Sequence, residues 1–257
     1  MSSANSPVIV LVPGAFGTPA GFDKLLPHLD GLQTYPGAYP SCDPPDPMAA
    51  TCPDDIAALR NDVLIPLLNQ QRDVVILAHS YGGIVAGGAA KNLDKEARKA
   101  QGHVGAVIGL IYVAGNISLD GESLLEALGG VYPPFIQSHK PSRGLALIEP
   151  AMEVLYNDCD PALQPELDGF MKPHALQAFE TRATAPAWAD EGFDGRRAYI
   201  RTLDDRCNPL SVQDMWLKKS KVKWNVVDLK AGHMPFVSQP EALAAHIIRF
   251  VDDFLKH

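Results

Sequence analysis

Val74-Val75-Ile76-Leu77-Ala78-His79-Ser80-Tyr81-Gly82-Gly83-Ile84-Val85-Ala86-Gly87-Gly88 is the stretch that decides the fold. Val74 to Leu77 is short, apolar and β-branched, the composition of a strand in a parallel sheet covered on both faces. From Gly82 to Ala90 small residues dominate, which suits a helix packed close against that sheet. Between the two lies Ala78-His79-Ser80-Tyr81-Gly82, a G-x-S-x-G pattern with Ala for the first Gly. Small residues must flank the serine because a strand-to-helix turn this sharp is crowded from both sides. A lone small-x-Ser-x-Gly is also found in ordinary tight turns, but the preceding strand and following helix are the context that gives the pattern meaning.

Working outward, Val8 to Val12 is a second apolar run, leading into Pro13-Gly14-Ala15-Phe16-Gly17-Thr18-Pro19. Such a loop brings bare backbone amides to the sheet edge, where they can stabilise an oxyanion. One donor is expected at Tyr81, directly after the serine. The other is expected at Ala15, with Phe16 as its competitor; a plain β-to-α connection is the alternative. Phe22 to Leu29 suits a short helix and Gln33 to Tyr35 a strand. Residues 36–53 are rich in Pro and Asp and read as a surface loop. Asp54 is placed to cap a helix running from Asp55 to about Gln71, kinked at Pro66. A strand is expected over Val104 to Val113.

From Asn116 to about Trp188 the alternation of strands and helices stops. The spacing predicts short helices joined by turns, inserted at the carboxyl end of a strand, where they would cover the ligand crevice of an open α/β sheet. About seventy residues with broken periodicity make too thin a core for an independent domain. Strands resume at Arg197 to Thr202 and Lys223 to Leu229, with helices from Leu210 to Lys219 and from Glu241 to Leu255. The expected fold is therefore α/β, a mainly parallel sheet flanked by helices. Its core comprises residues 1–115 and 189–257, and residues 116–188 form an inserted helical lid.

A serine needs a base within hydrogen-bond reach, itself oriented by a carboxylate. His233 follows a strand directly, after Gly232, and Asp204 or Asp205 follows the preceding strand. The chain order is Ser, Asp, His. His79 neighbours the serine and points elsewhere, while His28, His103, His246 and His257 lie on or near helices or at the terminus. His139 and His174, in the insertion, are placed where either could face the pocket, and surface or hydrogen-bonded structural roles are the preferred reading for both.

Ala-His-Ser-Tyr-Gly-Gly at 78–83, Leu-Val-Pro-Gly-Ala-Phe at 11–16, Asp-Asp-Arg at 204–206 and Gly-His-Met-Pro at 232–235 make the chain resemble the α/β-hydrolase superfamily. More narrowly it resembles the small methylesterase and hydroxynitrile-lyase branch with its fungal and bacterial relatives. The likeness extends to Gly121-Glu122-Ser123-Leu124 and Leu155-Tyr156-Asn157-Asp158. In that branch the acid lies in Tyr-Ile-x-Thr-x-x-Asp with a Gln eight residues on. Tyr199, Thr202, Asp205 and Gln213 keep that register, which selects Asp205 over Asp204. Two departures are informative. Pro13 replaces the usual His before Gly14. The lyases also carry a Thr where Gly14 stands and a Lys after the base, where this chain has Met234, so the esterase-like arrangement remains.

The resemblance implies a serine hydrolase of carboxylic esters or lactones, with Ser80, His233 and Asp205 catalytic, the Ala15 and Tyr81 amides as oxyanion hole, and no cofactor or metal. Phe16, Tyr132, Phe135, Trp188, Leu210 and Met234 are candidates for an apolar substrate pocket. The alternatives are non-hydrolytic chemistry in the same cleft, a lyase, C–C cleavage or cyclisation with Ser80 and His233 as a proton relay, and a ligand receptor that keeps the triad. Asp at the elbow marks the dehalogenase and epoxide-hydrolase branches, and here that position is Ser80.

Across 257 residues the formal charge is −8, and no Lys/Arg stripe suggests a nucleic-acid surface. The first residues lack the pattern of a secretion signal and no stretch is of membrane-spanning length, so a cytoplasmic enzyme acting on a small molecule is expected, with no nucleic-acid or membrane partner and with its oligomeric state, a homodimer included, left open. Cys42, Cys52, Cys159 and Cys207 form no C-x-x-C pair. Cys42 and Cys52 flank the proline-rich loop, as a disulfide in an oxidising compartment or as free thiols in the cytosol.

Overall fold

A computed structural model describes residues 6–256; the readings placed on residues 1–5 and on His257 lie outside them. Strands β1 (Val8–Val12), β2 (Gln33–Pro36), β3 (Val74–His79) and β4 (Val107–Val113) precede the insertion. Within it lie β5 (Ile136–Ser138), β6 (Leu145–Ile148) and β7 (His174–Ala175), and after it β8 (Arg197–Thr202) and β9 (Asn225–Leu229). The main sheet is parallel throughout, in the order β2-β1-β3-β4-β8-β9. Every residue of β1, β3 and β4 is buried, which is why these strands are continuous apolar runs without alternation.

The strand order also places the crevice. The chain steps outward from β1 to β2 and then returns to lay β3 on the other side of β1, so the loops leaving β1 and β3 diverge at one edge of the sheet. Val12 pairs with Ala78, which sets the Pro13-Gly14 turn beside His79 and Ser80. Helix Pro240–Leu255 buries Leu243, Ala244, Ile247, Phe250, Val251 and Phe254, a stripe at three- and four-residue spacing.

Several expectations are corrected. The helix expected from Asp55 begins at Cys52 and is capped by Thr51, whose hydroxyl accepts from the Asp54 amide while the Asp54 carboxylate receives the Thr51 amide. Asp54 is thus the third residue of a capping box rather than the cap. Leu59–Leu64 is wound as a π-helix ahead of Pro66, which has no N–H to continue the regular ladder. Phe22 to Leu29 holds 3-10 turns at Pro19–Phe22 and Leu26–His28 in place of one helix. The four cysteines are free thiols.

The insertion is not purely helical: β5, β6 and β7 form a small antiparallel sheet between the short helices Leu124–Ala127, Ala151–Val154, Gln164–Phe170 and Leu176–Glu180. It is also stitched to the core. The Asp43 amide donates to Pro173 O (2.8 Å), Ala175 N to Ser41 O (2.9 Å) and Lys172 N to Phe16 O (2.9 Å). No helix among the described residues is long and apolar enough to cross a membrane.

Candidate active site

Ser80 sits between β3 and helix Gly82–Ala89 with φ of +49°, a left-handed backbone that a side chain occupies at a cost of about 1–3 kcal/mol. Close packing holds it there. A Cβ on Gly82 would lie 2.4 Å from Pro13 O, and one on Gly14 would lie 2.8 Å from His79 Nδ1 and 2.9 Å from Ser80 Cβ. Both positions must be glycine for the loop after β1 to approach the elbow. Ser80 O then accepts from the amides of Gly83 (2.9 Å) and Asn116 (2.8 Å), which fixes the peptide plane whose other end is the Tyr81 N–H.

Asp205 lies in the turn after β8, and Asp204 beside it is exposed. Its Oδ1 accepts from the amides of Cys207 (2.8 Å) and Asn208 (2.7 Å); its Oδ2 accepts from the Thr202 hydroxyl and from His233 Nδ1, both at 2.8 Å. Gln213 braces this turn, accepting from the Thr202 amide and donating to Thr202 O and Asn208 O. His233 is 2 % exposed. Burial by itself would push its imidazole down, but the Asp205 carboxylate opposes this and holds it well above the ordinary value. With Nδ1 committed to Asp205, Nε2 is the nitrogen left for a hydroxyl. His79 Nε2–H donates to His233 O (2.8 Å), so the buried neighbour of the serine steadies the backbone of the histidine.

Ser80 and His233 line one cavity of about 540 Å³, counting its open mouth, together with Ala15, Phe16 and Tyr81. Its walls are otherwise mostly apolar, with Asn116, Asn208, Tyr132 and Cys207 as the polar exceptions. Ser80 Oγ is turned to Asn116 Oδ1, 3.4 Å away, and no hydrogen bond joins it to His233 among the described residues. Such contacts commonly tighten only when substrate is present.

Of the candidate pocket residues, Phe16, Tyr132 and Phe135 line this cavity; Trp188, Leu210 and Met234 do not. Trp188 is buried in the 3-10 turn Ala187–Ala189 against Trp224, with ring centroids 6.3 Å apart. Leu210 opens helix Leu210–Ser220, and Met234 turns away into a separate cleft with Gly14, His79 and Phe236. Asn116, Cys207, Asn208 and Phe179 line the cavity without having been singled out. Asn116 directly follows the strand β4 and its short turn, a position from which a polar side chain could have been suspected.

A parallel sheet with a strained serine elbow and an Asp–His pair on neighbouring strand ends defines the α/β-hydrolase class. The chain belongs to the Alpha/beta hydrolase family, whose model matches residues 9–246. It is similar to Alpha/beta hydrolase nvfD of Aspergillus novofumigatus, 29% identical over 250 residues, 95% of each chain. A pyrethroid hydrolase of Sphingobium wenxiniae is 28% identical over 263 residues, covering 95% of this chain and 87% of the relative. Among solved structures, a pyrethroid hydrolase from Sphingobium faniae superposes with a TM-score of 0.77 at 22% identity, covering 98% of this chain and all of that one.

Proposed function

We propose that the protein is a serine hydrolase of small to medium apolar carboxylic esters or lactones, working through Ser80, His233 and Asp205. The observation that carries this reading is the buried Asp205–His233 bond at 2.8 Å opening on the same apolar cavity as Ser80. Similarity to a pyrethroid hydrolase supports it.

Ser80 Oγ attacks the carbonyl while His233 Nε2 takes its proton. Asp205 keeps the imidazole in the tautomer with its proton on Nδ1 and stabilises the cation. The Ala15 and Tyr81 amides hold the oxyanion, whose charge exists only in the transition state and the tetrahedral intermediate. His233 then protonates the leaving alcohol, and water repeats the sequence on the acyl-enzyme. Residues 116–188 act as a lid: Leu124, Leu128, Pro133, Ile136, Ile148 and Leu155 supply an apolar wall that selects a hydrocarbon-rich substrate and excludes water.

A fluorophosphonate read by intact mass, with a panel of p-nitrophenyl esters and lactones, tests this. A single adduct that Ser80→Ala abolishes, with multiple turnovers on the panel, is expected. No adduct would sink the reading. Turnover retained in Ser80→Ala would point to the proton-relay alternative, and stoichiometric release alone to a receptor.

A further inference from the structure

The two amides assigned to the oxyanion lie on different loops, and both loops lead back to one buried carboxylate. Asp55, in helix Cys52–Ala58, is fully buried. Its Oδ2 accepts from the hydroxyl of Tyr81 (2.7 Å) and from that of Ser41 (2.5 Å), and its Oδ1 from the Ser41 amide (2.9 Å). Ser41 Oγ lies 3.0 Å from His174 Nε2, and His174 Nδ1 lies 3.3 Å from the Phe16 amide nitrogen.

The direction of every proton in this chain is fixed by its ends. A backbone N–H can only donate, so His174 Nδ1 is the acceptor and carries no proton. Nε2–H therefore donates to Ser41, whose hydroxyl is left to donate to a carboxylate that can only accept. Burial pushes His174 down to about 3, so the ring stays neutral, and pushes Asp55 up to about 6, so at pH 8 the carboxylate is ionised. His174 also stacks on Phe179, with centroids 4.9 Å apart and planes 11° from parallel.

The effect reaches Ala15 through rigid peptide planes. Phe16 N–H belongs to the plane that follows Ala15, and His174 holds it; Lys172 N holds Phe16 O. The Ala15 N–H belongs to the plane before, whose Gly14 carbonyl accepts from the Tyr39 hydroxyl at 2.9 Å. Phe16 needs this grip because its φ is +65°. Tyr81, the other donor, is tied through its side chain to Asp55 itself.

We propose that Asp55 is the positioning residue of the oxyanion hole, holding the Tyr81 loop directly and the Ala15 loop through Ser41 and His174. This rests on the serine-hydrolase reading above. Asp55→Asn is the decisive variant. The Oδ1 site faces a backbone donor, so the amide oxygen stays there and the NH₂ takes the Oδ2 site. The Ser41 hydroxyl must then accept, its proton turns to His174 Nε2, and the imidazole proton moves to Nδ1, where it confronts the Phe16 N–H. Replacing one oxygen by NH₂ reverses the chain.

The test compares wild type, Asp55→Asn and Ser41→Ala at pH 8 on a matched aryl ester and thionoester. Sulfur accepts hydrogen bonds poorly, so a well-aligned hole favours the oxygen ester. Loss of a donor costs about 10²–10³ in kcat, and its displacement a fraction of that. Expected is a ten- to hundredfold fall in kcat on the ester with KM within threefold, and a fall in the ester-to-thionoester ratio. Ser41→Thr, which keeps the hydroxyl, should recover both. General loosening of the fold would lower the two substrates alike, so an unchanged ratio in folded Asp55→Asn and Ser41→Ala overturns the assignment. Wild-type enzyme that turns over neither substrate and takes up no fluorophosphonate overturns the hydrolase reading and this one together.

Discussion

Asp205→Asn should disable the enzyme by inverting one tautomer while leaving the fold intact. The Asp205 Oδ1 site receives two backbone amides, from Cys207 and Asn208, and neither can reverse. The asparagine oxygen is therefore forced there and its NH₂ replaces Oδ2, facing His233 Nδ1. Nδ1 must then accept, so the imidazole proton resides on Nε2, the nitrogen that has to receive the serine proton. Losing the correct tautomer costs on the order of 10⁴ in kcat in a Ser-His-Asp enzyme, equivalent to about 5 kcal/mol at about 1.4 kcal/mol per tenfold. The acid limb of the pH profile should move down as well, because burial of His233 persists while the carboxylate that raised it is gone. The assay is steady-state hydrolysis of a p-nitrophenyl ester from pH 5 to 10, with circular dichroism to confirm folding. A folded variant that loses less than tenfold, or whose limb stays in place, would refute this tautomer argument.

In the wild type, His233 must be neutral to act as base, and its value is raised, so kcat/KM should climb with pH through a midpoint above the ordinary 6.5 or so; a midpoint below 6 contradicts the Asp205 assignment. The stability that the Asp205–His233 pair contributes should be complete below the unfolded histidine value and disappear as pH rises through the folded one, read as melting temperature against pH. Ser80→Gly should be inactive yet more stable than Ser80→Ala by about 1 kcal/mol, because glycine occupies the +49° backbone without strain; equal denaturant midpoints would count against strain at the elbow. Gly82→Ala would drive a methyl to 2.4 Å from Pro13 O, and should cost more than about 2 kcal/mol or yield insoluble protein; a well-folded, fully active variant would show that the loop can retreat. Phe135→Ala should widen the cavity and shift preference toward longer acyl chains, seen as a changed ratio of kcat/KM across an ester series.

The parts readable in the sequence were those dominated by local pattern. Buried parallel strands are continuous apolar runs, so β1, β3 and β4 stand out, and the serine turn between a strand and a Gly-rich helix is a short-range signal. Which of the two adjacent aspartates stands beside His233 followed from the register that the family resemblance implies, and three of its residues, Thr202, Asp205 and Gln213, are joined by hydrogen bonds. The insertion resisted because its strands are only two to four residues long; Ile136-Gln137-Ser138 has no alternation to detect, and its pairing depends on partners elsewhere in the insertion. Asp55 was invisible for another reason. An acidic pair at a helix start is ordinary helix chemistry, and only tertiary contact with Ser41 and Tyr81, and through Ser41 with His174, distinguishes Asp55 from Asp54. Trp188 and Met234 show the converse, since a large apolar side chain fits a core wall as well as a pocket.

The stitches that tie residues 172–175 to Phe16, Ser41 and Asp43 constrain how anything reaches Ser80. Swinging the whole insertion outward would break three backbone hydrogen bonds, each worth about 0.5–1.5 kcal/mol net, and would pull on the very loop that carries Ala15. Parting the tip at residues 129–135 breaks less: Gly129 and Gly130 both have positive φ, Val131 is 74 % exposed, and the segment is tied across by the Tyr132 hydroxyl to Glu180 and by the Glu149 amide to Phe135 O. If residues 116–188 act as the proposed lid, the glycine-bounded tip is where it would open, while the stitched frame at residues 172–175 would keep the Ala15 loop in line.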